Sequence, residues 1–413
     1  MVTPTSATRG AARPGLIRTL NEQLLLERMR QDGPVSRSEL ASASGLSKPT
    51  VGLALASLER AALVQHAGSR AGPRGRSARL YEIRSDAGFV LGLDVGREFV
   101  RGAVADLAGT VRARRTRAAR SSSGTGRVRE LAALATEVLY DAGVARDRAL
   151  LHVVIGSPGV VAPGGRALRM AASLPGWERP GVLRELRRLL GEETTIENDV
   201  DAATVAERDH GLGRDVSTFA FVSVGTGIGM GLVVDGKLHR GAHGAAGEIA
   251  FLPLADGQPL DSPDARRRGA LESVASSAAV VGAARKGGAR VRSARSVFAA
   301  AAAGDQLARA VVAGEAALVA RALVSIVAVV DPELIILGGG IGGAPGFADA
   351  VRDELARLSP VVPEIHPSAL GDDAVVDGCL AVGGERLWER VLSSRVASSA
   401  RAKDLPQRVE RTI

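Results

Sequence analysis

The sequence predicts an α/β protein with two parts: an N-terminal winged helix-turn-helix, then a larger two-lobed α/β module. Three observations carry this prediction. Basic charge is concentrated in the first fifth of the chain. The pattern there runs helix, short helix, glycine turn, longer helix and hairpin. From Phe89 the pattern changes to short apolar strands with intervening helices, in two similar halves that each hold a glycine-bearing turn.

The charge argument is arithmetic. The 413 residues include 53 Lys+Arg and 45 Asp+Glu, a net of +8. Residues 1–84 hold 13 of the basic and 6 of the acidic residues, leaving 40 and 39 for residues 85–413. A basic excess confined to one segment calls for an anionic partner there. Apolar residues make up 46% of the chain and aromatics only 3%, so its cores are built from Ala, Val and Leu. No uninterrupted apolar run reaches the roughly 18 residues of a membrane span. The segment M1-V-T-P-T-S-A-T-R-G10 has no apolar signal core. Cys379 is the single cysteine, which excludes a disulfide framework or a multi-cysteine zinc site. The expected location is cytoplasmic and nucleoid-associated, with no membrane, metal or cofactor.

Residues 1–15 are rich in Thr, Ser, Pro and Gly and are expected to be disordered. The winged helix-turn-helix is expected over 16–84. In L16-I-R-T-L-N-E-Q-L-L-L-E-R-M-R30 the residues Leu16, Leu20 and Leu24 recur with the helical period. S36-R-S-E39 is a capping box that opens a short helix, with Leu40 and Ala43 inward. Gly45 makes the turn. Ser47 is the expected cap of the next helix, and Pro49 suits its first turn. The second helix of such a pair enters a DNA major groove by its N-terminal end. Ser47, Lys48, Pro49 and Thr50 stand at that end and are small or basic. L63-V-Q-H66 and A78-R-L-Y-E-I83 pair as hairpin strands around G68-S-R-A-G-P-R-G-R-S77, the wing. Arg70, Arg74 and Arg76 give the wing its charge. P73-R-G-R76 resembles the core of an AT-hook, whose arginines lie in a narrow A·T minor groove.

In the larger module, F89–G96, V100–D106 and T110–R114 read as successive strands, followed by a helix near 127–143 and the strand L150–I155. V216–V224, G229–V234 and K237–H239 begin a second set. An Ala/Val-rich helix over 305–330 leads to L334-I-I-L337 and G338-G-G-I-G342. Gly225, Thr226, Gly227 and Gly229 present a turn whose backbone amides suit phosphates, and Gly338 and Gly339 would let a nucleotide lie against a helix start. The same glycines equally suit a tight turn and a helix–strand junction.

Several segments together carry a resemblance. V222-S-V-G-T-G-I-G-M-G-L-V-V-D-G-K-L-H-R-G-A-H-G-A-A-G-E-I249 is similar to the signature of the ROK family of repressors, open reading frames and sugar kinases. I155-G-S-P-G-V-V161, S173-L-P-G-W177, E197-N-D-V-D-A-A203 and D331-P-E-L-I-I-L-G-G-G-I341 match further blocks of that family in order. The resemblance covers about 85–390, within a ROK-like effector and dimerisation domain expected over 85–392, and the front matches the family's repressor branch. It implies an actin-like, ribonuclease H-like fold of two lobes. It also implies a sugar site at Asn198, Asp199, Glu248 and Glu272, with Asp199 at the position of the kinases' catalytic base.

Three departures stand against catalysis. The family's first phosphate loop, D-x-G-G-T-K, is here D94-V-G-R-E-F99. Phe251 stands where a histidine would bind sugar and zinc. L260-D-S-P-D-A-R-R-R-G-A270 replaces a zinc loop and holds no cysteine. The chain is therefore expected not to be an enzyme, and Asp199 to be a vestigial base. The expected function is a transcriptional regulator, a repressor, that binds double-stranded operator DNA as a homodimer or higher homo-oligomer and senses a sugar or sugar derivative. Two alternatives remain at this point: a bifunctional sugar kinase with a DNA-binding domain, and a regulator controlled by a protein partner through a vestigial pocket. The tail 393–413 is expected to be disordered.

Overall fold

The computed structural model describes residues 14–71, 77–145, 150–162, 167–254 and 260–401. They fall into two compact units. Among the described residues, one takes in those up to Phe89, Asp106–Thr110 and those from Gly384 onward; the other takes in those of 90–105 and 111–383.

In the first unit, α1 spans Pro14–Asp32 and begins on a proline, whose fixed φ suits a first helical turn. Its buried face is Leu25, Leu26 and Met29, whereas Leu20 and Leu24 are 53% and 37% exposed. In L24-L-L26 a leucine lies on every side, so the spacing that revealed the helix did not reveal its inner face. After the two-residue strand β1 (Val35–Ser36), α2 spans Arg37–Ser44. The capping box is formed: the Glu39 amide donates to Ser36 Oγ at 3.2 Å, and the Ser36 amide donates to Glu39 Oε2 at 2.7 Å. Leu40 and Ala41 are buried and Ala43 is exposed, so the short helix is turned from the expected Ala43 face. Gly45 ends α2 at φ +70°, a conformation that costs glycine nothing. α3 (Lys48–Arg60) starts at the Ser47 cap and buries Val51, Ala54, Leu55 and Leu58. β2 (Val64–Ala71) and β3 (Ser77–Ile83) pair antiparallel, and β1 extends the sheet in the order β1-β3-β2. Arg74 and Arg76 of the expected wing lie outside the described residues.

The second unit contains two five-stranded sheets. The first is built from β4 (Phe89–Val95), β5 (Phe99–Asp106), β6 (Val111–Ala118), β7 (Leu151–Ser157) and β10 (Thr195–Asn198), with α4 (Gly124–Asp141) between β6 and β7. The short pair β8 (Val160–Val161) and β9 (Leu168–Arg169) and helix α5 (Pro180–Leu190) precede β10, and α6 (Asp199–His210) follows it. The second sheet is built from β11 (Phe219–Val224), β12 (Ile228–Val234), β13 (Lys237–Leu238), β14 (Leu334–Gly338) and β15 (Glu364–Pro367). Between β13 and β14 lie α7 (Pro263–Arg268), α8 (Ala270–Val274), α9 (Ser277–Lys286), α10 (Ala294–Ala302) and α11 (Gln306–Val330). Helices α12 (Gly339–Gly342) and α13 (Phe347–Leu358) lie between β14 and β15. The sheets run β10-β7-β4-β5-β6 and β13-β12-β11-β14-β15. Counted from each sheet's own first strand, the order is the same: third, second, first, fourth, fifth. The two similar halves read from the sequence are thus two copies of one topology. The parallel pairing of β11 with β14 and of β14 with β15 needs crossovers, which the helices supply.

α11 is long and apolar enough, by length and composition alone, to cross a membrane. Glu315 and Arg321 interrupt its apolar run. In the fold it serves a core: Val319, Leu323 and Ile326 pack with Ile335 and Leu337 of β14 and Phe347, Val351 and Leu355 of α13. The last helix, α14, spans Ala374–Arg401. The tail expected to be disordered from residue 393 is therefore helical to Arg401, because no Gly or Pro interrupts the chain between Gly384 and Pro406. Within the first unit α14 is tied to α1, where Gln23 Nε2 donates to the Leu392 carbonyl at 3.1 Å and Arg30 stacks 5.7 Å from the Trp388 ring.

Candidate functional site

Three of the segments that match family blocks meet at the end of β10. Trp177 is buried and donates from Nε1 to Ser157 Oγ at 2.8 Å, joining S173–W177 to I155–V161. Asn198 Nδ2 donates to the Gly159 carbonyl at 3.1 Å, adding E197–A203. Gly159 has φ +90°, and a Cβ there would strike the Arg169 carbonyl, so only glycine fits. Asn198 also caps α6, its Oδ1 accepting from the Asp201 amide at 2.9 Å. The cap sets Asp199 at the first position of α6, where its Oδ1 accepts from the Val200 amide. Asp199 is half-buried. Burial pushes its carboxyl up to about 6, against the pull of backbone amides.

Other carboxyls share this environment. Glu248, just before a short 3₁₀ turn (Ile249–Phe251), is pushed up to about 7 by burial and then by the charges of Asp199 and Glu272. Asp201 is also raised to about 7, by burial and by Glu197, with Arg240 opposing. Arg240 holds Glu197 with two hydrogen bonds, of 3.1 and 2.9 Å. Glu272 is less free than a pure sugar ligand would be. Its Oε2 accepts from the Ile228 amide at 3.3 Å and its Oε1 from Arg268 at 3.2 Å. So Arg268, in the basic run R266-R-R268, is a partner of the site.

The segment that replaces the zinc loop is ordered by packing among its described residues. Ser262 caps α7 and Ala265 is buried. A Cβ on Gly269 (φ +97°) would strike the Ala250 carbonyl. Phe251, at the position of the family's histidine, is 40% exposed, so it does not dry the pocket as a buried ring would.

The glycines of the expected nucleotide site have protein neighbours of their own. The Gly225 amide donates to the Gly227 carbonyl at 2.9 Å, closing the β11–β12 turn around Thr226. A Cβ on Gly227 would strike Glu272, and one on Gly229 would come 3.2 Å from Val200. Gly338 packs against the Phe221 ring. Gly339, at φ +77°, would bring a Cβ within 2.5 Å of the Val224 carbonyl. At the first turn, Arg97 and Glu98 are exposed. Asp94 is buried beneath them and raised to about 7 by burial, with Arg101 opposing. Arg101 bridges Asp94 at 3.1 Å and Asp372 at 3.3 Å. Arg101 and Arg240 were not singled out, because the acids they pair with lie in distant segments.

In the first unit, Lys48 and Pro49 are exposed at the start of α3. Ser47 and Thr50 are occupied with the cap: the Thr50 amide donates to Ser47 Oγ at 3.3 Å, and the two hydroxyls lie 2.8 Å apart. Arg70 is paired with Glu39 of the capping box at 2.7 Å.

The ROK family's sequence pattern matches residues 90–383. The chain belongs to the ROK family. Among its relatives, the bifunctional enzyme NanE/NanK of Brucella suis is 38% identical over 198 residues, 47% of this chain but only 35% of that protein. The N-acetylmannosamine kinase of Citrobacter koseri is 36% identical over 219 residues, 53% of this chain and 73% of that one. The xylose repressor of Bacillus subtilis is 25% identical over 272 residues, 64% of this chain and 68% of that one. Of the solved structures, a ROK hexokinase from Thermus thermophilus aligns at TM-score 0.59 with 27% identity, covering 73% of this chain and 99% of that one. A ROK family transcriptional regulator, a homologue of the E. coli MLC protein, aligns at TM-score 0.70 with 22% identity, covering 92% and 99%. The second match shows a shared fold that extends well beyond the ROK domain.

These matches correct the expectation that the chain is not an enzyme. ROK kinases stand among both its relatives and its structural neighbours. The altered first turn and the replaced zinc loop do not by themselves exclude sugar phosphorylation.

Proposed function

We propose that this ROK protein is a DNA-binding transcriptional regulator whose effector is a sugar or sugar derivative. The observation that carries the reading is the fold likeness to a ROK transcriptional regulator over 92% of the chain, the front unit included. The three helices and hairpin of that unit then serve as a winged helix-turn-helix, with Lys48 at the exposed start of the recognition helix. The xylose repressor among the relatives supports the same reading. Asn198, Asp199 and Glu248 offer the carboxylate and amide groups that pair with sugar hydroxyls. A dimer would read two half-sites, and a sugar that binds one dimer state better than the other would change operator affinity.

The test begins by selecting genomic fragments on the purified protein, then titrating the winner with xylose, N-acetylmannosamine and glucose. Lys48→Ala should weaken operator binding and lower the salt slope by about one. Arg74→Ala and Arg76→Ala should flatten any preference for A·T flanks. A protein that enriches no fragment would sink the proposal.

A second reading, sugar phosphorylation, rests on Asp199. With its carboxyl raised to about 6, Asp199 is largely ionised at neutral pH yet basic enough to take a proton from a sugar hydroxyl. If the protein phosphorylates any of these sugars with Mg-ATP, Asp199→Asn should slow turnover by about a hundredfold or more. Turnover unchanged by that substitution would remove Asp199 as the base.

A further inference from the structure

A buried carboxyl away from the candidate sugar site has no hydrogen-bond partner at one of its oxygens among the described residues. Glu315 lies in the middle of α11, is 3% exposed, and its Oε1 makes no hydrogen bond. It lines a recess of about 340 Å³ between α9 and α11. Gly314, Glu315 and Leu318 form one wall, at the i, i+1, i+4 spacing of a single helix face; Ala279, Val280 and Ala283 form the other. None of the residues assigned to sugar or nucleotide lines it.

Two features mark the recess, the first being Gly314 at its exposed rim. Gly314 sits in a helix interior, where glycine is less favourable than alanine. A Cβ there would meet nothing within 4 Å, so no neighbour demands the glycine; what it leaves is space beside Glu315. The carboxyl itself is costly in apolar surroundings without a partner. Burial alone pushes it up to about 8. The charged groups on the packed elements do not act on it: neither Arg309 and Arg321 of α11, Arg285 and Lys286 of α9, Arg295 of α10, nor the ionisable groups of α13 contribute to that shift.

We propose that the α9–α11 recess is a second ligand site, for a small apolar amine whose ammonium pairs with Glu315. The walls take an aryl or alkyl body, and the single carboxylate takes one cationic head. An uncharged body of the same shape would bury well but leave Glu315 unpaired. Pairing requires the ionised carboxylate, so at neutral pH the amine displaces the Glu315 proton. Below the carboxyl's own titration, affinity rises about tenfold per pH unit, and it levels off above about pH 8. The amine stays protonated across this range, as an alkylammonium does.

The experiment is calorimetric titration of the full chain with 2-phenylethylamine at about pH 6, 7, 8 and 9, in two buffers of different ionisation enthalpy. The expected result is one site, proton release at pH 7, and the stated pH profile. Glu315→Gln should remove both the proton release and the slope, and weaken binding at pH 8 by about tenfold or more. Gly314→Leu, which has room to fold, should fill the recess and abolish binding while circular dichroism stays native. Absence of binding by the wild type at millimolar amine and pH 9 overturns the proposal. So does equal binding of 2-phenylethanol, or a Glu315→Gln or Gly314→Leu protein that binds like the wild type. If a second copy of the chain covers the recess, the amine does not bind and the proposal falls.

Discussion

The β4–β5 turn and the β11–β12 turn occupy the same place in two sheets of the same strand order, and they have met different demands. In the first, one glycine is needed: a Cβ on Gly96 would lie 2.9 Å from the Phe99 carbonyl. The next two residues, Arg97 and Glu98, are exposed, and the turn is held through their backbones. The Arg97 carbonyl accepts from the buried Arg127, and the Glu98 carbonyl accepts from the Ala119 amide. In the second turn three small residues run together because other elements close over them. The Ser277 amide of α9 donates to the Gly225 carbonyl at 2.7 Å, Glu272 lies against Gly227, and Gly339 lies against Val224. The topology alone asks for one small residue per turn. Further glycines report what packs over the turn, so a glycine-rich run is by itself an ambiguous sign of a nucleotide.

The largest test of this contrast is Gly339→Val. A β-branched residue at φ +77° is strained, and its Cβ would press on a backbone carbonyl that cannot move aside. Stability in urea should fall by about 3 kcal/mol or more. A loss under about 1 kcal/mol would show that the second turn relaxes freely and that packing does not dictate its glycines.

The same distinction between local and distant demands separates what the sequence discloses from what it hides. The capping box at Ser36 and Glu39, the Gly45 turn and the Ser47 cap are written in four or five consecutive residues, and all are present. The strands and the long helix α11 follow from periodicity. Asn198, Asp199 and Glu248 were legible as candidates because each sits in a compact motif. The partners that condition them could not. Arg240 is 43 residues from Glu197, and Arg101 reaches Asp372 across most of the domain. Arg268 sat in a charge run that local reasoning assigns to solvent. Strand β1 has two residues, too few for a period, and α1 offered leucines on every side. The helical tail to Arg401 was missed because its Ser and Arg content resembles a linker, although nothing in it breaks a helix.

A middle-sized effect concerns the acids of the second unit. Asp94, Asp201 and Glu248 are each raised to about 7 and Asp199 to about 6, chiefly by burial. Their folded-state values lie above the unfolded ones, near 4. Between these limits the folded protein holds more protons than the unfolded chain. The stability these acids contribute is therefore full below about pH 4 and is lost as pH rises through about 7. Glu248→Gln removes one such proton. The slope of unfolding free energy against pH should become shallower by up to about 1.4 kcal/mol per unit within that window, and stay unchanged above it. Urea midpoints at half-unit intervals would show this. Parallel curves for the two proteins would mean that Glu248 titrates alike in both states, and that its surroundings are wetter than their packing indicates.

The smallest expected effect is the most direct check of the contrast. Arg97→Gly with Glu98→Thr restores the small residues of the family's first phosphate loop. The native turn is fixed by carbonyls, which the double variant keeps, and both side chains stand in solvent. Stability should therefore change by no more than about 0.5 kcal/mol. Added backbone freedom at position 97 acts on the unfolded chain and places the change on the destabilising side. A loss above about 2 kcal/mol would show that the charged pair holds the turn, and the two turns would then differ in which side chains close them rather than in whether any are needed.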